Sequence, residues 1–140
     1  IRTALQRLAV TFEQATDLSL QLDLPTELPA LSNAQRLALY RAAQEALTNV
    51  QRHAQAQHVW VEMILQDNCV ALIVSDDGVG FPAETKEAAF GLRGMRERAA
   101  HLDGQLSLEN RESGGARLKF VLPLIEVGEE DGNDPAAACR

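Results

Sequence analysis

Residues Ser32 to His53 read SNAQRLALYRAAQEALTNVQRH, and this stretch decides the fold. Ser32 and Gln35 have the spacing of a capping box, in which each side chain bonds the other residue's backbone N–H and starts a helix. The helix is predicted to end near Ala54. One apolar face then follows from residues that recur at helical spacing: Leu39, Ala42, Ala43, Ala46, Leu47 and Val50.

The opposite stripe of this helix is polar, because residues three and four apart are neighbours on a helix surface. It consists of Arg41, Glu45, Thr48, Asn49, Arg52 and His53. On an isolated helix such a stripe is usually a solvated face. Solvated faces favour Glu, Lys, Gln and Arg, whereas Thr48, Asn49 and His53 are indifferent helix formers. The composition of the stripe therefore favours a polar ligand site.

The composition of the whole chain excludes several classes of function. Its 140 residues are 46% hydrophobic and carry a net charge of −7, as expected for one globular domain. After Leu124, five acids against one arginine supply −4 of this charge. The remaining domain has no basic footprint for nucleic acid. No apolar run approaches the ~18 residues of a membrane span, so we expect no membrane contact from this segment.

The hydrophobic patterns predict three helices and about five strands. Helices are expected over 1–14, 32–54 and 92–102, and strands over 17–24, 58–66, 69–75, 105–111 and 116–124. A two-residue hairpin turn is expected at Asp67-Asn68. Because helices and strands do not alternate strictly, we predict an α+β two-layer sandwich. Its mixed, mostly antiparallel sheet would carry the helices on one face.

The apolar strand that precedes residue 76 ends in Asp76-Asp77-Gly78-Val79-Gly80. A tight turn is one interpretation, but no matching strand follows. A dinucleotide-binding fingerprint is another, but no helical pattern follows Pro82, and two acids would face the phosphates. The chain has no Gly-Lys-Ser/Thr, which excludes a P-loop. The favoured interpretation is a heterocycle pocket: a carboxylate accepts from an exocyclic amine, and glycines let the backbone pass close to a flat base.

Two further features extend this pocket hypothesis toward phosphates. Asn49 offers a side-chain oxygen of the kind that Mg²⁺ prefers. Gly91 and Gly94 open the next predicted helix, whose free N–H groups and dipole suit phosphate oxygens.

The chain contains three short motifs, here called boxes, in this order: Glu45-x-x-x-Asn49-x-x-Arg52-His53, Asp76-x-Gly78-x-Gly80 and Gly91-x-x-Gly94. Together they resemble the N, G1 and G2 boxes of the GHKL ATPase superfamily. This is the Bergerat ATP-binding fold of sensor histidine kinases, gyrase, the mismatch-repair ATPases and the large heat-shock chaperone. This chain is similar to the nitrate-sensor-like subgroup of bacterial sensor kinases in three segments: QEALTNVQRHA, DDGVGF and GLRGMRERA. The resemblance covers roughly Leu18 to Leu124.

At the base end of the site, the resemblance implies that Asp76 accepts a hydrogen bond from the adenine amino group. Gly78 and Gly80 would shape the base pocket. Asp77 is expected to face solvent or to stabilise the turn. The terminal glycine motif, Gly114-Gly115-Ala116, lacks the Thr of many relatives, which leaves one adenine-side hydrogen bond open.

At the phosphate end, the resemblance implies catalytic roles for Asn49, which would hold Mg²⁺, and for Glu45, which would reach the metal through water. Arg52 and His53 match positions that contact phosphate or ribose. The triphosphate would be bracketed, under a short lid at 82–90, by Gly91, Leu92 and Gly94.

The resemblance further implies a domain organisation and a set of partners. Residues 1–16 would end a linker or dimerisation helix, 17–124 would form the ATP-binding catalytic domain, and 125–140 would be an acidic disordered tail. The domain would transfer the γ-phosphoryl of ATP to a His on a separate dimerisation domain of the same protein, and a response regulator would receive it.

The domain is expected to be cytoplasmic, with an inner-membrane anchor of the full protein left open. The chain's own histidines, His53, His58 and His101, are not expected to be phosphate acceptors. Two alternatives remain, an anti-sigma-type serine kinase of the same superfamily and a degenerate, non-catalytic module.

Overall fold

The fold was analysed in a computed structural model that describes residues 1–82 and 91–124. The predicted lid beyond Pro82 and the predicted acidic tail lie outside these residues. The described elements follow one another along the chain as α1 (Arg2–Ala15), β1 (Ser19–Asp23), α2 (Asn33–Asn49), a π-helical turn (Val50–Ala54), β2 (His58–Gln66), β3 (Cys69–Asp76), α3 (Leu92–His101), β4 (Gln105–Asn110) and β5 (Ala116–Pro123).

The start of α2 confirms the predicted capping box. The Gln35 backbone N–H donates to Ser32 Oγ over 3.1 Å, and the Ser32 N–H donates to Gln35 Oε1 over 2.9 Å. The end of this helix differs in detail from the prediction. Regular α-helix stops at Asn49, and one π-helical turn carries the chain to Ala54 before Gln55 turns left-handed with φ 52°. A wide turn of this kind is often found at functional sites.

The five strands form one mixed sheet in the order β1-β2-β3-β5-β4. β1 runs parallel to β2, and every other neighbouring pair is antiparallel. The β2–β3 turn confirms the hairpin prediction, because Asp67 and Asn68 both have positive φ, 51° and 62°, as a type I′ turn requires. β3 lies at the centre of the sheet, and all eight of its residues are buried.

One hydrophobic core joins the helices to one face of the sheet. It contains Leu39 of α2, Met95 of α3 and Phe120 of β5, each fully buried. Alternate residues of β3 belong to it as well, among them Leu72 and Val74. The predicted α+β fold class, with helices on one face of a mixed sheet of five strands, is confirmed. Within the described residues, no helix is both long enough and apolar enough to cross a bilayer.

Candidate functional site

A cleft opens where the end of α2 and its π-helical turn meet the ends of β3 and β5. The space inside it, together with the open solvent at its mouth, is about 430 Å³. Asn49 and Asp76, which lie on different elements, both line it. The two boxes that the sequence analysis combined therefore meet at one cleft. Its walls are mostly apolar, which suits a flat heterocycle. The full lining is Ala46, Asn49, Val50, His53, Ala54, Val74, Asp76, Gly80, Phe81, Ala116 and Leu118.

Asp76 is the last residue of β3 and is only 4% exposed. Its Oδ1 accepts from the Gly78 N–H over 2.8 Å and from the Ala116 N–H over 3.4 Å. A buried carboxylate held by backbone donors is fixed in orientation and desolvated before any ligand arrives. The backbone N–H of Ala116 therefore helps to hold the carboxylate.

Gly78 joins the loop after β3 to the end of the π-helical turn. A Cβ at this position would lie 2.0 Å from the Ala54 carbonyl oxygen. The same carbonyl accepts from the Val79 N–H over 2.8 Å. Gly78 therefore permits a backbone contact that holds the two boxes together, whereas Gly80 lines the cleft itself.

Gly115, which precedes β5, makes a second close approach. A Cβ there would lie 1.9 Å from the Asp76 carbonyl oxygen, and the backbone is left-handed with φ 92°. Gly114 is also left-handed, with φ 101°, but a Cβ there would meet nothing within 4 Å. Of these two glycines, only Gly115 has a neighbouring atom that leaves no room for a Cβ.

Asn110, at the end of β4, holds the far wall of the cleft, and sequence reasoning missed it. Its Oδ1 accepts from the Phe81 N–H over 2.7 Å, and its Nδ2 donates to the Phe81 carbonyl over 3.0 Å. A Cβ at Gly80 would lie 2.7 Å from the same Oδ1. The side chain thus pairs with Phe81 as a neighbouring strand would. An isolated Asn before a turn carries no sequence signal for such a role.

Arg111 holds the backbone of Asp76 through a hydrogen bond. Its Nη1 donates to the Asp76 carbonyl oxygen over 2.7 Å, and its guanidinium lies 4.9 Å from the centre of the Trp60 ring. Trp60 in turn stacks on His58, with ring centres 6.1 Å apart. The residue that ends β3 is therefore held through its main chain as well as through its carboxylate.

Asp77 has a structural role, in agreement with its expected lower weight as a ligand. Its Oδ1 accepts from the backbone N–H groups of His58, over 2.9 Å, and Gln57, over 2.8 Å. Its Oδ2 lies 2.8 Å from His58 Nδ1. The His58 backbone hydrogen bond is the main cause that lowers the pKa of Asp77 from 3.8 to about 2. Asp77 fixes the chain between the π-helical turn and β2.

Glu45 and Asn49 lie one turn apart on α2, and Arg98 of α3 contacts Glu45. Arg98 Nη2 lies 2.6 Å from Glu45 Oε2, and both side chains are about one-third exposed, at 32% and 34%. Asn49 Nδ2 is buried and has no hydrogen-bond partner within residues 1–82 and 91–124. Sequence reasoning missed Arg98, which lies four residues after the end of the third box at Gly94.

The other residues predicted at the phosphate end lie partly at the surface and partly in the hydrophobic core. Arg52 is exposed, and His53 is exposed and lines the cleft. Gly91 is the N-cap of α3 and has a left-handed φ of 68°. Leu92 is fully buried in the core, and Gly94 leaves space for Arg98, whose Nη1 would lie 3.4 Å from a Cβ there. Leu92 thus positions the start of α3 through packing.

The donor set at this end suits Mg²⁺. A carboxylate and an amide oxygen, offered by Glu45 and Asn49, are ligands that Mg²⁺ accepts when substrate phosphates and water supply the rest. Among residues 1–82 and 91–124, no group of three or more His, Cys, Asp or Glu side chains is placed to hold a metal. A magnesium ion here would therefore depend on the nucleotide for part of its coordination.

The comparisons with known proteins agree with this geometry. The family model described as histidine kinase-, DNA gyrase B-, and HSP90-like ATPase matches residues 34–126. The chain is 40% identical over 94 residues to the histidine-protein kinase/phosphatase UhpB of Salmonella typhimurium, covering 67% of this chain and 18% of that protein. It is 34% identical over 127 residues to the sensor histidine kinase MctS of Rhizobium johnstonii, covering 88% and 27%.

Solved structures give the same fold. The ATP-binding domain of PrrB from Mycobacterium tuberculosis superposes with a TM-score of 0.68 at 27% identity, covering 89% of this chain and 93% of that one. The histidine kinase AdeS of Acinetobacter baumannii gives a TM-score of 0.74 at 16% identity, covering 89% and 65%, and supports the fold alone. The chain spans about a fifth to a quarter of the length of the curated relatives that it matches.

Proposed function

This chain belongs to the histidine kinase-, DNA gyrase B-, and HSP90-like ATPase family and is an ATP-binding domain of the sensor histidine kinase type. From that premise we propose that it transfers the γ-phosphoryl group of Mg·ATP to a His on a dimerisation domain of the same protein. A response regulator would then accept the phosphoryl group. The single observation that carries the proposal is that Asn49 and Asp76 line one largely apolar cleft.

The described residues divide the work of binding between two ends of this cleft. Asp76 accepts from the adenine amino group, because its carboxylate is buried and already oriented by backbone donors. The apolar walls, including Val74 and Leu118, cover the faces of the base. His53 lies at the rim, where it can contact ribose or phosphate. Arg52 is exposed nearby and adds positive charge.

At the phosphate end, Asn49 and Glu45 would hold Mg²⁺, Glu45 through a water molecule. When bound, the ion neutralises the oxygens of the β- and γ-phosphates. The γ-phosphorus breaks its bond to the bridging oxygen of ADP and forms a bond to a ring nitrogen of the acceptor His. The domain contributes positioning and charge neutralisation and forms no covalent intermediate.

The relatives support a histidine kinase over the two alternatives. The matched proteins named above are histidine kinases. This chain has Asn49, Asp76 and the glycines of the three boxes, which speaks against a degenerate module. The finer resemblance to the nitrate-sensor-like subgroup stays a prediction. So do the linker helix at 1–16, the cytoplasmic placement and the identity of the response regulator.

Calorimetry with Mg·ADP tests nucleotide binding at this cleft. Asp76→Asn replaces an acceptor by an amide whose N–H₂ would face the adenine amino group, so we expect the Kd to rise about 100-fold. Asp77→Asn is the matched control. It is the same substitution one residue along, outside the cleft lining, and should change the Kd less than about threefold. Equal affinities for the wild type and Asp76→Asn would contradict the proposed site.

A second assay distinguishes the kinase classes. The domain is mixed with ATP and its purified dimerisation domain, and the phosphorylated product is treated with acid. Phosphohistidine is acid-labile, whereas phosphoserine survives. Acid-stable product would favour the serine kinase, and nucleotide binding without any product would favour the degenerate module.

A further inference from the structure

Arg98 of α3 contacts the proposed metal-binding carboxylate, that of Glu45 on α2. Its Nη2 lies 2.6 Å from Glu45 Oε2. We propose that Arg98 is a positioning residue that serves as the counterion of Glu45 in the empty site and releases it when metal and nucleotide bind. This inference rests on the proposed function, since it concerns the same phosphate end.

The contact is an ion pair without hydrogen-bond geometry. Among the residues that the structure describes, three buried atoms have no aligned hydrogen-bond partner: Glu45 Oε2, Arg98 Nε and Arg98 Nη2. Close charges that lack aligned hydrogen bonds recover only part of the cost of their desolvation. The pair is therefore one that a better ligand can separate.

The side-chain amide of Asn49 also lacks a hydrogen bond to the described residues. Asn49 Nδ2 is buried and lacks a partner, one turn along α2 from Glu45. Among residues 1–82 and 91–124, three buried donor nitrogens, one of Asn49 and two of Arg98, thus lack an aligned hydrogen bond. The Glu45 carboxylate is therefore not tied to its neighbours by aligned hydrogen bonds, which lets a metal ion compete for it.

The other arginines of α3 point to different partners, which makes the direction of Arg98 specific. Arg93 pairs with Glu97 on the outer side of the helix, and both side chains are well exposed, at 80% and 70%. Arg96 donates to the Leu106 carbonyl of β4 over 3.0 Å. Arg98 instead folds back over Gly94 toward α2, and its Nη1 lies 3.4 Å from the position that a Cβ of Gly94 would occupy.

Two purely structural roles could also explain Arg98. It could tie α3 to α2, or it could stabilise the C-terminal end of α3 through the helix dipole, because it lies in the last turn. Both roles would change the stability of the fold without any dependence on metal. A counterion of Glu45, in contrast, competes with metal for the same carboxylate.

The test measures ADP affinity by calorimetry across a magnesium titration, from metal-free to saturating. In Arg98→Met no cation competes for Glu45, so the half-saturating Mg²⁺ concentration should fall about fivefold, the effect of a partly exposed ion pair. ADP affinity at saturating Mg²⁺ should stay within about threefold. Arg98→Lys keeps the charge and should restore most of the wild-type magnesium requirement.

Three comparisons make the result specific. Arg98→Gln, also neutral, is measured beside Arg98→Met so that the outcome does not depend on how one substitution folds. Arg93→Met removes an arginine from the exposed side of the same helix and should leave the titration unchanged. In a Glu45→Gln background, Arg98→Met should no longer shift the magnesium midpoint.

An unchanged midpoint in both neutral variants would overturn the inference, and so would an equal shift in the Glu45→Gln background. Failure of the proposed function is distinguishable, because then the wild type itself would not bind ADP at any magnesium concentration.

Discussion

Asn49 and Asp76 both line the cleft, but their surroundings are built differently. At the Asp76 end, which comprises Asp76, Gly78, Gly115 and Asn110, polar groups are paired within the protein. The Asp76 carboxylate and both polar groups of the Asn110 side chain have backbone partners at 2.7 to 3.4 Å.

At the Glu45 end, which comprises Glu45, Asn49 and Arg98, the pairing is incomplete. Here the described residues leave four buried polar atoms without an aligned hydrogen bond. The difference indicates how binding energy is used. A preorganised base site loses little entropy when the base arrives, whereas the phosphate end gains its missing bonds only with ligand and metal.

The largest effect is expected where the Asp76 end is packed most closely. Gly115→Ala places a Cβ 1.9 Å from the Asp76 carbonyl oxygen on a left-handed backbone. We expect it to lower the free energy of unfolding by at least about 3 kcal/mol.

Gly114→Ala is the matched control, left-handed but without a close neighbour. It should cost about 1–2 kcal/mol, the left-handed backbone alone. Urea unfolding measures both variants. Equal losses would show that the contact with Asp76 is unimportant.

A middle-sized effect is expected for Asn110→Ala, which removes both hydrogen bonds to Phe81. The wall of the base pocket would then be held less firmly, and the Kd for Mg·ADP should rise about tenfold. Calorimetry measures this change.

Glu109→Ala is the neighbouring control, since its ion pair with Arg117 spans 3.3 Å and is largely exposed. It should change the Kd less than about twofold. An Asn110→Ala variant with wild-type affinity would indicate that the base pocket does not depend on this wall.

The smallest expected effect is a pH dependence of the free energy of unfolding that comes from Asp77, which does not line the cleft. The pKa of Asp77 is lowered to about 2, so its stabilising contribution is complete above pH 3.8 and is lost as the pH falls through 2. Because the side chain is partly exposed, we expect the contribution to be about 1 kcal/mol.

Urea unfolding at pH 5 and at pH 2 measures this contribution. In Asp77→Asn the stability should fall less between these two values than in the wild type. An identical fall in both proteins would contradict the assigned role of the carboxylate.

Local sequence signals predicted most of the elements, and both predicted boxes around Asn49 and Asp76 supply residues that line the cleft. The Ser32 capping box and the Asp67-Asn68 turn depend on residues close in the chain, and both formed as predicted. The boxes around Asn49 and Asp76 were recognisable because the chemistry of each is concentrated in a few adjacent residues.

The missed features depend on contacts between elements that are distant in sequence. The strand order, with β5 between β3 and β4, results from long-range pairing that periodicity does not encode. The Asn110 contact with Phe81 and the Arg98 contact with Glu45 likewise join separate elements. Each of these residues is an ordinary polar residue in its own segment, so only the folded arrangement assigns it a role.

The most direct test of the difference between the two ends is a crystal structure of the chain with Mg·ADP. The account predicts adenine hydrogen-bonded to Asp76, with the Gly78 and Asn110 contacts unchanged and the Arg98–Glu45 contact broken. A nucleotide bound elsewhere would contradict it. So would an intact Arg98–Glu45 contact beside a bound metal together with rearranged bonds around Asp76.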